Sequence, residues 1–185
     1  MKLPNTGLRK ALIVVDVQPA FIKPHNQHIV PNIVSLIEQA PYDLYIEAVF
    51  HAEKGSLWDK QQAWICPMNS ETRTVDAIAE ALKNHDPVKV LKETRSVFKG
   101  NPSIKKLLED NHIQELHLVG TETNDCVFAT AFEAFDLGYP VYVLEECCES
   151  ATEGRHEPAI TLLGYQGMTN NSCLAKTTDI SLERV

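Results

Sequence analysis

The sequence predicts a three-layer α/β/α sandwich on a mostly parallel, Rossmann-like central sheet of about six strands, folded as a single domain over residues 1–185. Three observations predict it. Short apolar runs recur along the chain. They are mostly continuous rather than alternating, as in strands buried on both faces. Segments of helical period separate them. No repeat, low-complexity tract or Gly/Ser-rich linker interrupts this pattern.

Taken in order, the apolar runs are residues 11–15, 44–50, 88–91, 115–119 and 141–144, with a weaker sixth near 167–169. After the first, Pro31 suits a first helical turn, and Ile33, Leu36 and Ile37 then share a face. Asn101-Pro102-Ser103 starts a second helix with Ile104, Leu107 and Leu108 as its stripe. Beyond Asn124, Val127, Phe128, Ala131, Ala134 and Phe135 form a broad face closed by Gly138. Pro158 opens a last helix carrying Ile160, Leu162 and Leu163. Residues 51–71 keep no clean period and read as a long loop, a feature that in compact domains often carries function.

Composition narrows the function. Lys and Arg number 17 against 25 Asp and Glu, a formal charge of −8, which disfavours a nucleic-acid binder because such proteins rely on clustered cations. The five cysteines, Cys66, Cys126, Cys147, Cys148 and Cys173, are odd in number and match no disulfide framework or zinc set. Free thiols in a reducing compartment follow, with Cys147-Cys148 as two buried small residues rather than a redox switch. The N-terminal apolar run is too short for a secretory signal and ends in Asp16. No run approaches the roughly 18 apolar residues of a membrane span. Leu3-Pro4-Asn5-Thr6-Gly7 looks like a cell-wall sorting signal, but at the wrong end of the chain. A cytoplasmic protein with a small-molecule substrate and no membrane or nucleic-acid partner is expected.

In an open α/β sheet the site lies outside the C-terminal ends of the strands. Asp16 ends the first run, Lys92 follows the third, and Cys126 comes a short turn after the fourth. Each has an ordinary reading: a loop-capping carboxylate, a solvated lysine, a small residue packing a helix start. Together they are a proton acceptor, a cation and a nucleophile. A thiol at a helix start also faces unpaired N–H groups, which favour the thiolate.

At these residues the sequence resembles the isochorismatase-like cysteine hydrolases, which include nicotinamidases, N-carbamoyl amidohydrolases and isochorismatases. The matching segments are Leu12-Ile13-Val14-Val15-Asp16-Val17-Gln18, Lys92-Glu93-Thr94-Arg95-Ser96-Val97-Phe98 and Gly120-Thr121-Glu122-Thr123-Asn124-Asp125-Cys126-Val127. Thr130-Ala131, Ala134, Gly138-Tyr139 and Val141 extend the third, and the resemblance runs from about Ala11 to Cys173. It implies an Asp16–Lys92–Cys126 triad, an oxyanion hole from the Cys126 and Glu122 backbone N–H groups, and a cis Thr121–Glu122 peptide. It also implies a dimer or tetramer.

The departures from the family pattern are informative. Glu122 stands where many relatives carry a small or apolar residue, and its charge opposes anionic substrates. Glu146 replaces a usual aspartate. Nicotinamidases place a metal around an Asp-x-His after the second strand, where this chain has Val49-Phe50-His51. His51 with Asp59 is too thin a ligand set, and His25 and His28 lie in a Pro/Asn-rich loop, so neither a metal nor another cofactor is expected. Retention of Cys126 favours an amide or carbamoyl substrate over a vinyl ether. A vinyl-ether hydrolase and a binding protein that retains the triad are the alternatives. Phe21, His51, Trp58, Trp64 and Phe98 are candidates to line the substrate, or else core or subunit-interface residues.

Overall fold

The computed structural model describes residue 1 and residues 3–171; Cys173 lies outside the described residues. Along the chain run β1 (Lys10–Val15), α1 (Ile29–Gln39), β2 (Leu44–Phe50), α2 (Leu57–Gln62), α3 (Asp76–Leu82), β3 (Val88–Lys92), α4 (Ile104–Asp110), β4 (Glu115–Gly120), α5 (Phe128–Asp136), β5 (Val141–Cys148) and α6 (His156–Tyr165). Among the described residues the sheet has five strands, in the order β3-β2-β1-β4-β5, and every pairing is parallel.

The expected sixth strand is a single bridge. The chain near Thr169 meets Val143 through two backbone bonds, Val143 N–H to Met168 O and Asn170 N–H to Val143 O, and no ladder extends from them. Two bonds do not make a strand.

Alternation along β1 explains the layers. Ala11, Ile13 and Val15 face a core completed by Ile104 and Leu108 of α4, Ala131 and Ala134 of α5, and Leu163 of α6. Leu12 and Val14 face the opposite core, built with Ile29, Ile33, Leu36 and Ile37 of α1 and Ile78 and Leu82 of α3. Side chains two apart share a face, so a continuous apolar run supplies both layers.

Three local readings change. The helix expected to open at Pro158 begins two residues earlier, at His156, whereas Pro31 lies in the first turn of α1 as expected. The 51–71 stretch is not wholly loop, because it holds α2, capped by Ser56, whose hydroxyl accepts the Asp59 N–H. The segment around 76–82, passed over in the sequence, forms α3.

Strand order reverses between β1 and β4, since β1 leads on to β2 on one side while β4 leads to β5 on the other. Diverging loops leave a crevice at the C-terminal ends there. Gly120 closes β4 opposite Val15 with φ +117°. A Cβ at this position would lie 2.1 Å from Val15 O, so only glycine allows β4 to approach β1 so closely.

Candidate active site

Three strands deliver the site's ionisable groups. Asp16 is the first residue past β1, with φ +50°. Its amide donates to Ala48 O at 3.0 Å, and its carbonyl accepts the Thr121 hydroxyl at 2.8 Å. Lys92 is the last residue of β3, two strands away, a span of about 10 Å that the long lysine side chain can bridge. Its Nζ crosses the Phe50 ring, 5.1 Å from the centroid, and donates to Asp16 Oδ2 at 2.6 Å and to Thr94 O at 2.9 Å. Both side chains are almost wholly out of solvent, 0% and 1% exposed.

Cys126 sits in a π-type turn, Thr123–Val127, that precedes α5, and its thiol interacts with both Asp16 and Lys92. Asp16 Oδ1 is buried and accepts no conventional hydrogen bond among the described residues. One carboxylate oxygen is thus committed to the lysine, and the other is open as an acceptor. The Thr121–Glu122 peptide in this turn is cis. Among the described residues the Glu122 N–H has no acceptor. The turn is strapped from outside: Thr123 N–H donates to Glu149 O at 3.2 Å, Glu149 N–H donates to Gly120 O at 3.3 Å, and the Thr123 hydroxyl pairs with His156 Nδ1 at 2.9 Å.

The electrostatics of the corner pull in opposite directions. The Cys126 thiol is held well above its ordinary pKa, first by burial and then by the neighbouring Asp16 carboxylate, against which Lys92 only partly counts. A resting thiolate is therefore disfavoured; the helix-start effect is outweighed by loss of solvent. Burial likewise raises Asp16, countered by the Lys92 ammonium. Burial lowers Lys92, but Asp16 and Cys126 more than compensate and leave it raised. Burial thus opposes ionisation of both the thiol and the Asp16 carboxyl, and the Lys92 ammonium partly offsets it for each.

Above these groups lies a cavity of about 190 Å³, lined by Asp16, Phe21, Phe50, Trp58, Trp64, Thr121, Glu122, Asp125 and Cys126. It is smaller than the ~300–1,000 Å³ usual for drug-sized ligands, which points to a compact guest. The aromatic wall is continuous: Trp64 stacks on Phe50 at 5.7 Å, and Trp58 meets both edge-on at 5.4 and 5.6 Å. Phe21 closes it at 6.1 Å from Phe50. Trp58 is fixed by its indole N–H to Glu93 O at 2.7 Å and by the Arg95 guanidinium 4.5 Å over its ring. Arg95 in turn pairs with Asp125.

Of the candidates named from sequence, Phe21, Trp58 and Trp64 line this cavity, and His51 and Phe98 do not. The Phe98 ring packs on the α4/α5-side core. His51 bonds Lys92 O through its backbone N–H and turns Nδ1 to 3.7 Å from Glu93 Oε1. Sequence reading missed Phe50, Asp125 and Gln18. Phe50 was legible, because the last residue of a strand shares the sheet's C-terminal edge with Lys92, its register partner. Gln18 carries no such signal. Its buried amide accepts the Phe50 N–H at 2.8 Å and donates to Phe50 O at 3.0 Å and to Thr72 O at 2.7 Å.

Among the described residues, no three His, Cys, Asp or Glu side chains gather as metal ligands. Asp59 is occupied by the Gly55 N–H at 2.7 Å, and His25 and His28 make backbone contacts with Ser150 O and His25 O. Among the described residues, those around His51 do not make up the donor set of a metal site. Cys66, Cys126, Cys147 and Cys148 are free, and both Cys147 and Cys148 are buried. No described helix is long and apolar enough to cross a membrane.

The parallel sheet with helices on both faces is an α/β/α architecture, and the family it matches makes the chain a hydrolase. The chain belongs to the isochorismatase family: the isochorismatase domain matches residues 10–172. An uncharacterised isochorismatase family protein of Bacillus subtilis (strain 168), YaaI, is 24% identical over 161 residues, covering 83% of this chain and 88% of that one. Among solved structures, an isochorismatase-like hydrolase from Alkaliphilus metalliredigens superposes with a TM-score of 0.75 at 20% identity, covering 87% of this chain and 92% of that one. The nicotinamidase of Staphylococcus aureus is similar at 28% identity with a TM-score of 0.67, over 84% and 91% of the two chains. The pyrazinamidase/nicotinamidase of Streptococcus mutans UA159 gives 0.73 at 22%, over 86% and 98%.

Proposed function

We propose that this chain is a cysteine amidohydrolase that cleaves a small amide or carbamoyl C–N bond through a thioester on Cys126. The observation that carries the reading is the divided Asp16 carboxylate: Oδ2 on the lysine at 2.6 Å, Oδ1 unpartnered, in the same cavity as the thiol. As Sγ bonds to the substrate carbonyl carbon, its proton passes to Asp16, and Lys92 holds the charge that moves from carboxylate to sulfur. The oxyanion meets the N–H groups of Cys126 and Glu122, donors commonly worth about 2.7–4 kcal/mol each. Asp16 then gives its proton to the leaving nitrogen as the C–N bond breaks. Water loses a proton to Asp16 and attacks the thioester, the C–S bond breaks, and the proton returns to sulfur. A carboxyl whose proton affinity is raised by burial suits a group that must hold a proton in mid-cycle.

Supporting the amide over the vinyl ether are the thiol facing the cavity and the nicotinamidases among the structural relatives. The reading treats residues 1–185 as one such domain, cytoplasmic in keeping with its free cysteines. It also takes the protein to self-associate, since Leu57, Trp64, Ile65 and Met68 leave an apolar patch exposed on the 51–71 excursion. The test is a screen of primary amides, carbamoyl compounds and isochorismate with ammonia release measured. Cys126→Ala is expected to lose at least roughly 10³-fold in kcat/KM. Activity on isochorismate that survives this change, with no ammonia from any amide, overturns the proposal.

A further inference from the structure

The cavity's charge points to a substrate class. Three carboxylates line it, and two have their own cations: Asp16 has Lys92, and Asp125 has Arg95. Glu122 forms no ion pair among the described residues; burial holds its carboxyl above the ordinary pKa, and the Arg155 guanidinium partly offsets this. Once ionised, Glu122 adds to this space a negative charge that no ion pair among the described residues compensates, and a cation brought against it would favour that ionised form. Its remaining wall is aromatic, and ring faces are electron-rich. Phe50 and Trp58 already hold protein cations, Lys92 and Arg95, against their faces, whereas Phe21 and Trp64 hold none among the described residues. An anionic guest would meet the Glu122 charge and four rings with no free cation to receive it. A cationic guest would meet a carboxylate and, in Phe21 and Trp64, two rings that hold no protein cation among the described residues, the two elements that bind ammonium and pyridinium groups.

Resting on the amidohydrolase reading, we infer that Glu122 is a specificity-determining residue, and that the substrate is a compact amide bearing a positive charge away from the scissile carbonyl. The backbone of Glu122 serves the reacting oxygen and its side chain screens the far end of the substrate. One residue thereby couples the chemistry to charge selection.

Three amides of nearly equal size test this: 1-methylnicotinamide (cation), benzamide (neutral) and 3-carbamoylbenzoate (anion). Ammonia release gives kcat/KM for each, and calorimetric binding to the Cys126→Ala protein gives affinity without turnover. The expected order is cation, neutral, anion in both measurements, with about tenfold or more between the ends. Glu122→Gln keeps the backbone N–H and should collapse the cation-to-anion ratio toward unity, and Trp64→Leu should lower the cation-to-neutral ratio. An order led by the anion, or a ratio that survives Glu122→Gln, overturns the inference while leaving amide hydrolysis standing. If no amide releases ammonia, the amidohydrolase reading fails, and the binding series on Cys126→Ala still decides the charge preference.

Discussion

The Asp16–Lys92–Cys126 corner and the 51–71 excursion face each other across one small cavity and are built on opposite principles. The corner hangs from strand ends. Its carboxylate and ammonium are buried, and its backbone is fixed by sheet register. The excursion is held by the antiparallel Ala52–Cys66 bridge and by loop contacts such as the Trp58 indole N–H to Glu93 O, and its six-residue helix has no buried residue. It contributes no group to the triad, only the two indoles that close the wall. A charge needs an over-determined backbone, because a misplaced buried ion costs several kcal/mol, whereas an aromatic wall tolerates sliding. The strand ends hold the corner's charges, and the excursion supplies the aromatic wall.

The largest expected effect falls on the corner. Lys92→Met leaves the Asp16 carboxylate buried and unpaired and should cost about 3–5 kcal/mol in urea unfolding near neutral pH. The sign with pH follows from the raised Asp16 carboxyl. Without the ammonium that opposes burial, its pKa rises further. The stability loss is then fullest where Asp16 is ionised, and shrinks as pH falls and protonation removes the buried charge. The acid limb of kcat/KM moves to higher pH for the same reason, since a protonated Asp16 accepts no proton from sulfur. A variant as stable as the parent, with an unmoved acid limb, would show the corner to be no more constrained than the excursion.

A smaller effect should appear at the junction. Gln18 follows β1 closely and ties Phe50, the last residue of β2, to Thr72 at the far end of the excursion. Gln18→Ala strands an amide and two carbonyls in a buried place, at about 1–3 kcal/mol. Because the affected groups position Phe50 and the excursion rather than the triad, KM should rise more than kcat falls. Equal loss in both would mean that Gln18 supports the corner instead, and that the two regions are one mechanical unit.

The same contrast explains what could be read without coordinates. The five strands were legible because each carries a short, mostly apolar run, unbroken in the central β1 and interrupted by Lys89 in the half-exposed edge strand β3, and Asp16, Lys92 and Cys126 were legible because they end or follow such runs. The excursion was not, since α2 buries no residue and so leaves no helical stripe. α3 has such a stripe in Ile78 and Leu82, but only seven residues in which to display it. The desolvation of Cys126 was also beyond reach. Helix-start and neighbour effects can be named from sequence, but the desolvation that outweighs them depends on packing around the thiol. Gln18 illustrates the remaining limit: three bonds to residues 32 and 54 positions away follow from the fold and leave no local pattern.

The finest separation comes from two aromatic residues that sequence treated alike. Phe98 and Trp64 both lie outside the predicted strands and helices, yet Phe98 packs on the core beneath α4 and α5, while Trp64 stacks on Phe50 at the cavity and stays 39% exposed. Phe98→Leu should lower stability by about 1 kcal/mol and leave KM unchanged, because it trims packing that no substrate touches. Trp64→Leu should raise KM several-fold with a smaller loss of stability, since much of the indole is already in solvent. Thermal unfolding and initial-rate kinetics on the two variants give four numbers. The pattern expected is crossed: stability moves for one residue and KM for the other. If both variants raise KM alike, the cavity extends to Phe98 and the boundary between core and excursion has been drawn in the wrong place.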